Sequence, residues 1–334
     1  LPLKFYDIYG FGLSVEGPAE NVLDARYSEF RVSDTLDRVD LFVKVHEGVD
    51  DLPTRPNGAL KGMWIPFLSN DNTLWYEKQA DFEFLSHFVD GLIWWQDKAL
   101  LHAGGVAKLD EAFLFVGGGN VGKTSTVINL VEKGYDFIGD DWVVLETTQV
   151  RPLWRTLHIH DYNLSNPKRA RAILGMRAPV YRAISWMLRV GMDRIPQRHL
   201  RYVLSSIRDH QLVVNIDLQK INPEARLARP ARIAKIFYLE RSNSTNISVT
   251  TDIAADQLAR RMAYVYLYEW NFLFEEHNKY AYRYGDTGGR LESRFDQIVS
   301  IAQTAFIGSQ LLRVAIPNKL DLTDIDLVSK LGLP

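Results

Sequence analysis

Ala112-Phe113-Leu114-Phe115-Val116-Gly117-Gly118-Gly119-Asn120-Val121-Gly122-Lys123-Thr124-Ser125 runs from a strand candidate through a glycine-rich loop into the head of a helix. The apolar residues at 112–116 predict a buried strand. The segment from about 123 to 133 predicts a helix that Gly134 ends from the C′ position. Between them stands the pattern Gly-x4-Gly-Lys-Thr. Glycines let successive backbone N–H groups turn inward around a polyphosphate, and a helix N-terminus adds positive potential at the same place. Lys123 is expected to reach the β- and γ-phosphates as a point charge, and the Thr124 hydroxyl to give Mg2+ one oxygen ligand. Gly117, Gly118, Gly119, Asn120, Val121, Gly122, Lys123, Thr124 and Ser125 are therefore the expected ATP-binding residues. The alternative is a glycine-rich turn with no ligand.

Moving outward, Asp140 and Asp141 follow Lys123 by 17 and 18 residues and precede a second buried-strand candidate at 142–145. Two adjacent acids at a strand mouth can divide the work of phosphoryl transfer. One holds the Mg2+ that bridges phosphates and the other accepts the proton of an acceptor hydroxyl. We assign the metal to Asp140 and the base to Asp141; the plain alternative is a polar turn capping a strand. His102 stands 21 residues before Lys123 and, on local grounds, reads as a structural histidine.

Further out, close-set apolar residues from Phe5 to Phe11 and at 41–45 make residues 1 to about 70 strand-rich, with turns expected at 50–53 and 55–58. Phe84, Leu85, Phe88, Leu92 and Trp95 predict an amphipathic core helix over 80–95. Strands are expected at 213–216 and 233–239, and helices over 165–210, 254–274 and 296–307. The organisation expected is an N-terminal α+β subdomain at 1–97 and an α/β nucleotide domain at 98–334 with a helical insert at about 165–210.

The insert carries Lys168, Arg169, Arg171, Arg177, Arg182, Arg189, Arg194, Arg198, Arg201 and Arg208 against only Asp193 and Asp209. Interleaved Ile184, Trp186, Met187, Leu188 and Val190 make it a basic amphipathic stretch, open to three readings: a site for an anionic acceptor, a membrane-surface contact, or a solvated helical face. His158 and His160 share one face if they lie on a strand, a pair suited to a metal or an acceptor site. Glu275-Glu276-His277 and 286–289 read as helix-end and loop chemistry; Arg241 and Arg290 are both candidates to assist transfer.

Composition excludes several classes. The 334-residue chain has a net charge of −2, which argues against generic nucleic-acid binding. It has no cysteine, so disulfides, zinc-thiolate sites and cysteine nucleophiles are out. No apolar run is long enough for a transmembrane helix, and the opening residues lack a signal-peptide pattern, so a cytoplasmic setting is expected. Oligomeric state is left open.

His102-Ala103-x-x-Val106, Gly117-x4-Gly122-Lys123-Thr124 and Gly134-Tyr135-x3-Gly139-Asp140-Asp141 together resemble the nucleotide domain of HPr kinase/phosphorylase. They also resemble that enzyme's looser relatives, the kinase-like proteins encoded with peptide and small-molecule modification systems. The phosphoenolpyruvate carboxykinases share this architecture. The resemblance covers residues 100–146 and continues more weakly through 228–261. It implies ATP at the loop, metal and base roles for Asp140 and Asp141, and His102 near the phosphates as a third catalytic candidate beside Lys123 and Asp141. The Arg-Gly-rich second signature of the true HPr enzymes has no counterpart here, and residues 1–97 do not resemble theirs, so HPr itself is not the expected acceptor. The function expected is an ATP- and Mg2+-dependent kinase acting on a hydroxyl of a peptide, a protein Ser/Thr or a small molecule. The alternatives are a nucleotide-responsive binding protein and an ATPase without a phosphoryl acceptor.

Overall fold

The computed structural model describes residues 3–33, 35–46, 63–64, 73–77, 85, 89, 98–153, 156–164, 167–194, 197, 200, 212, 214–272, 274–275, 278, 282, 293–318, 320 and 326–334. The chain forms two compact units, Leu1–Lys98 with Tyr266–Ile298, and Ala99–Val265 with Val299–Pro334. Each is built on a mixed sheet, and helices accompany both, so the class is mixed α/β.

The first unit holds a six-stranded sheet of β1 (Leu3–Ile8), β2 (Phe11–Glu16), β3 (Arg31–Val32), β4 (Leu41–His46), β5 (Met63–Trp64) and β6 (Thr73–Glu77), in the order β3-β1-β2-β4-β6-β5. Strands β1 and β2 form a hairpin around Tyr9-Gly10, whose φ angles of 54° and 86° are those a two-residue turn with right-handed twist demands. The Asp7 carboxylate accepts the Gly10 N–H at 2.7 Å and braces that turn. Helix α1 (Ala19–Tyr27) buries Ala19, Leu23 and Tyr27 at four-residue spacing. It supplies the crossover that lets β2 and β4 pair in parallel. Leu85 and Val89 are helical and buried, in keeping with the helix expected over 80–95. The rest of that helix, the turns at 50–53 and 55–58, Glu276, His277, 286–289 and Arg290 lie outside the described residues.

The second unit holds an eight-stranded sheet whose main path is β11-β10-β7-β8-β14-β16-β15, with β9 also paired to β7. Its strands are β7 (Lys98–Lys108), β8 (Glu111–Val116), β9 (Asp136–Gly139), β10 (Trp142–Glu146), β11 (Gln149–Arg151), β14 (Ala231–Ser242), β15 (Ser248–Thr250) and β16 (Gln310–Pro317). The central pairs β8–β14 and β14–β16 are parallel. A small two-stranded sheet joins β12 (Thr156–Ile159) to β13 (Val214–Asp217).

Helix α2 (Lys123–Glu132) is the centre of this unit, for its residues from Lys123 to Val131 are all buried. One apolar cluster encloses it, drawing Phe113, Phe115 and Phe137 from the sheet, Leu157 from β12, Leu164 and Ile173 from the segment after it, and Leu327 and Leu331 near the chain's end. Phe115 and Phe237 stack at 5.3 Å between the parallel strands β8 and β14. Gly134, at φ 84°, ends α2: its N–H reaches the Val131 carbonyl, and Tyr135 N–H reaches that of Leu130 at 3.1 Å.

The insert provides α3 (Pro167–Leu174) and α4 (Ala178–Arg194). Residues 165–166, 195–196, 198–199 and 201–210 of the expected insert lie outside the described residues. Helices α5 (Ala255–Glu269) and α6 (Arg294–Phe306) match the expected helices within a few residues, and α7 (Leu327–Leu331) packs on α2. Among the described residues no helix is long and apolar enough to cross a membrane.

Candidate functional site

The loop after β8 is shaped by close approaches that only glycine permits. A Cβ on Gly117 would stand 2.5 Å from the Leu239 carbonyl oxygen of β14, and the residue sits at φ 153°. The space a Cβ would fill at Gly118 and Gly119 is open. Asn120 and Gly122 adopt φ 60° and 110°, the left-handed turns that bring the chain round into α2.

Helix α2 starts without a side-chain cap, because Gly122 occupies the capping position. Its first backbone bond runs from Thr126 N–H to the Gly122 carbonyl at 3.0 Å. The N–H groups of Lys123, Thr124 and Ser125 thus have no acceptor within the helix and carry the positive end of its dipole. Lys123 is only 6% exposed, and its Nζ donates to the carbonyls of Gly117 at 3.1 Å and Gly118 at 2.9 Å. A buried ammonium held by loop carbonyls is a cation stored beside the open side of the loop.

One support, Asn163, was not singled out in the sequence, and Arg241, expected as an aid to transfer, is found bracing the loop. Asn163, fully buried, donates to Ser125 Oγ at 2.8 Å and accepts the His160 N–H at 3.1 Å. That ties the chain after β12 to the first turn of α2. Arg241, near the end of β14, donates to the Asn120 carbonyl at 3.4 Å and to the carbonyls of Pro317 and Leu320, each at 3.0 Å. The guanidinium therefore straps the loop tip to the chain end of β16. Neither pairing follows a sequence period, since the partners are 38 and 121 residues apart.

Asp140 and Asp141 join β9 to β10, and β7 holds them against α2. Gly105 pairs with Gly139, and the Ala103 N–H donates to the Asp141 carbonyl at 3.0 Å. Gly104 is the meeting point: a Cβ there would lie 2.8 Å from Val127 Cγ2, 3.4 Å from the Asp140 carbonyl oxygen and 3.6 Å from Lys123 Cβ. Asp140 is buried and Asp141 half-buried. His102, on β7, meets the Trp142 ring edge-on at 5.0 Å. Burial and the neighbouring Lys123 charge pull the His102 pKa down to about 4, with Asp141 opposing. At neutral pH its imidazole is uncharged.

The structure thus brings together Gly117–Ser125 of the loop and α2, Asp140, Asp141 and His102 at one end of strands β7, β8 and β9. His160 is tied near Ser125 through its backbone, and the side chain of His158 lies outside the described residues. Among the described residues no three His, Asp or Glu side chains gather to hold a metal ion. A Mg2+ here would draw on the Thr124 hydroxyl and the Asp140 carboxylate, leaving its remaining positions to phosphate and water, a donor set that suits this ion. From the insert, Arg169 makes a two-pronged ion pair with Glu132, at 3.1 and 2.7 Å, at the end of α2 remote from the loop. A scan against protein-family models finds no match, and no curated protein matches the chain.

Proposed function

We propose that this chain is an ATP- and Mg2+-dependent kinase that phosphorylates a hydroxyl, on a nucleotide core of the HPr kinase and phosphoenolpyruvate carboxykinase type. The observation that carries the reading is the packing at Gly104, where the uncapped head of α2, buried Lys123 and the Asp140-Asp141 turn share one corner of the sheet. When bound, ATP with Mg2+ supplies the transferable phosphoryl group and offsets its charge. The amides of 118–125 would hold the phosphates, and Lys123 would exchange its carbonyl partners for phosphate oxygens. Thr124 and Asp140 would hold the metal. Asp141 would take the proton of the acceptor hydroxyl, and neutral His102 would add a hydrogen bond without adding charge. Arg241 would keep the loop tip in place.

Calorimetry with ATP and Mg2+ tests the nucleotide site, and transfer of labelled phosphate into peptide and metabolite mixtures tests the kinase step. Wild-type binding that Lys123→Ala weakens, together with labelled product that Asp141→Asn abolishes, is the expected pair of results. Nucleotide binding with free hydrolysis and no labelled acceptor would make the chain an ATPase; no nucleotide binding at all would end the reading.

A further inference from the structure

We infer that α4, with the turn before it, docks on an anionic phospholipid surface. Along α4 two faces run side by side. Ala178 and Ser185 are buried, and Tyr181 and Leu188 are half-buried, so this face is fixed to its own unit. Another face is apolar and open: Val180 is 62%, Ile184 40% and Met187 56% exposed, and Met176 just upstream is 97% exposed. Trp186, at 64%, lies open beside them. Scattered apolar residues on a surface are ordinary, but a continuous stripe on one helix is not.

Charge selects the occupant. From 162 to 192 the sequence contains six Lys or Arg residues and no Asp or Glu. Of these, Arg169 is committed to Glu132, while Arg171, Arg177 and Arg182 are exposed. Their order around the helix matters as much as their number. At about 100° per residue, Val180, Ile184 and Met187 fall within about 60° of one another, Trp186 about 100° to one side of Met187, and Arg182 about 40° beyond that. Measured from the middle of the stripe, Trp186 stands about 130° and Arg182 about 170° round the helix, so the guanidinium lies on the polar side, as in a basic amphipathic helix. On an anionic surface the exposed Arg177 and Arg182 add attraction over roughly the screening length while the stripe enters the acyl boundary. With α4 seventeen residues long, the helix presents several turns along the plane of such a surface.

The inference concerns a surface of the chain and stands apart from the nucleotide reading. The test is co-sedimentation of the full chain with vesicles of phosphatidylcholine alone or mixed with phosphatidylglycerol, at low and high salt. The chain should pellet with the anionic vesicles only, and less at high salt. Val180→Ser/Ile184→Ser/Met187→Ser should cut partitioning at least about tenfold, and Arg177→Gln/Arg182→Gln about 25-fold, at roughly fivefold per charge near a lipid surface. Circular dichroism and melting should not change, since every substituted side chain faces solvent; if the triple variant lost helicity, the double arginine variant would carry the test. A wild-type chain left in the supernatant overturns the inference, as does an apolar variant that still pellets. Binding to polyglutamate as tight as to anionic vesicles would assign the face to an acidic protein instead. Self-association abolished by the triple variant, without vesicle binding, would assign it to a second copy.

Discussion

Helix α2 holds Lys123, Thr124, Ser125, Thr126 and Asn129 in the interior, whereas α4, in the same unit, leaves Val180, Ile184, Trp186 and Met187 in solvent. Both depart from the ordinary sorting of side chains, in opposite directions. Burying an ammonium and several hydroxyls costs free energy that apolar residues in the same helix would not, and each needs a partner. Lys123 finds the Gly117 and Gly118 carbonyls, Thr126 Oγ1 donates to the Gly122 carbonyl, and Ser125 takes the Asn163 amide. Exposing an apolar stripe likewise forgoes stabilisation that folding alone could have gained. In the first case the unusual residues sit beside a loop whose Gly118 and Gly119 leave open space; in the second they face outward, uncovered among the described residues. We take the first as a site for something small and the second as a surface for something broad.

The largest effects should come from the inward side. Asp141→Asn is expected to lower phosphoryl transfer about 10²–10⁴-fold, the ordinary loss for a missing general base, while leaving ATP binding intact. Asp140→Asn should instead lose the Mg2+-dependent part of ATP affinity. Lys123→Met sharpens the point, because it replaces a buried charge with an apolar chain of similar length. Turnover should fall about 10²–10³-fold while the melting temperature holds or rises. If Lys123→Met melts several degrees lower and binds ATP normally, the lysine is there for the fold, and the contrast with α4 loses its meaning.

Next in size is the corner at Gly104. Gly104→Val forces branched carbon to within 2.8 Å of Val127 Cγ2, so either α2 or β7 must shift. Overpacking of this kind costs about 1–3 kcal/mol. Because the same corner touches Lys123 and Asp140, ATP affinity should fall along with stability. Urea denaturation and calorimetry on the one variant check both, and a loss of stability with wild-type ATP affinity would separate this corner from the site.

His102 gives a pH signature. Its folded pKa, lowered to about 4 from 6.5, means that between these values the unfolded chain binds a proton that the folded chain excludes. Stability should therefore be complete above about pH 6.5 and fall as pH drops toward 4, by up to about 1.4 kcal/mol per pH unit. His102→Asn should flatten that part of the curve. Urea midpoints at pH 7 and pH 5 for both proteins measure it; equal slopes would mean that the imidazole is solvated.

How much of this could be read in the sequence depended on whether chemistry or covering decided the matter. The 112–125 stretch carries its meaning in residue type, and its strand, loop and helix begin and end within a residue or so of expectation. Strand β7 was not read, because Lys98-Ala99-Leu100-Leu101 has the composition of a helix and Gly104-Gly105 that of a turn. It is a strand because β8, β9 and β10 all pair with it, and its small residues are what allow α2 and β9 to come close. Strand β16 does alternate, burying Leu312, Val314 and Ile316, but Arg313 and the closing proline obscured the pattern. Asn163 and Arg241 act across long stretches of chain and leave no local signal. In the insert, the charge was plain, yet α4 contains two stripes, 178/181/185/188 and 180/184/187. Periodicity shows that a helix has a stripe and says nothing of which one its own fold will cover.

The smallest effects belong to the outward side, and they decide between the readings of the insert. Arg177→Gln/Arg182→Gln removes two exposed charges with no folded partner among the described residues, so stability should stay within about 0.5 kcal/mol of wild type. ATP affinity should also hold, because the pair that anchors the insert to α2, Arg169 with Glu132, is untouched. The informative quantity is the KM for a soluble acceptor. If the arginines gather an anionic acceptor, the double variant raises KM, and added salt erases the difference, since exposed charges are screened over about 8–10 Å at physiological ionic strength. If they face lipid, KM with the soluble acceptor stays level while anionic vesicles no longer capture the variant. We expect the second outcome, for an acceptor site would require the apolar stripe to face the reacting hydroxyl. That stripe lies about 100° or more around α4 from the buried Ala178 and Ser185, the face by which the helix is joined to the unit that contains Lys123. A raised, salt-sensitive KM with vesicle capture unchanged would reverse the assignment and make α4 part of the acceptor site.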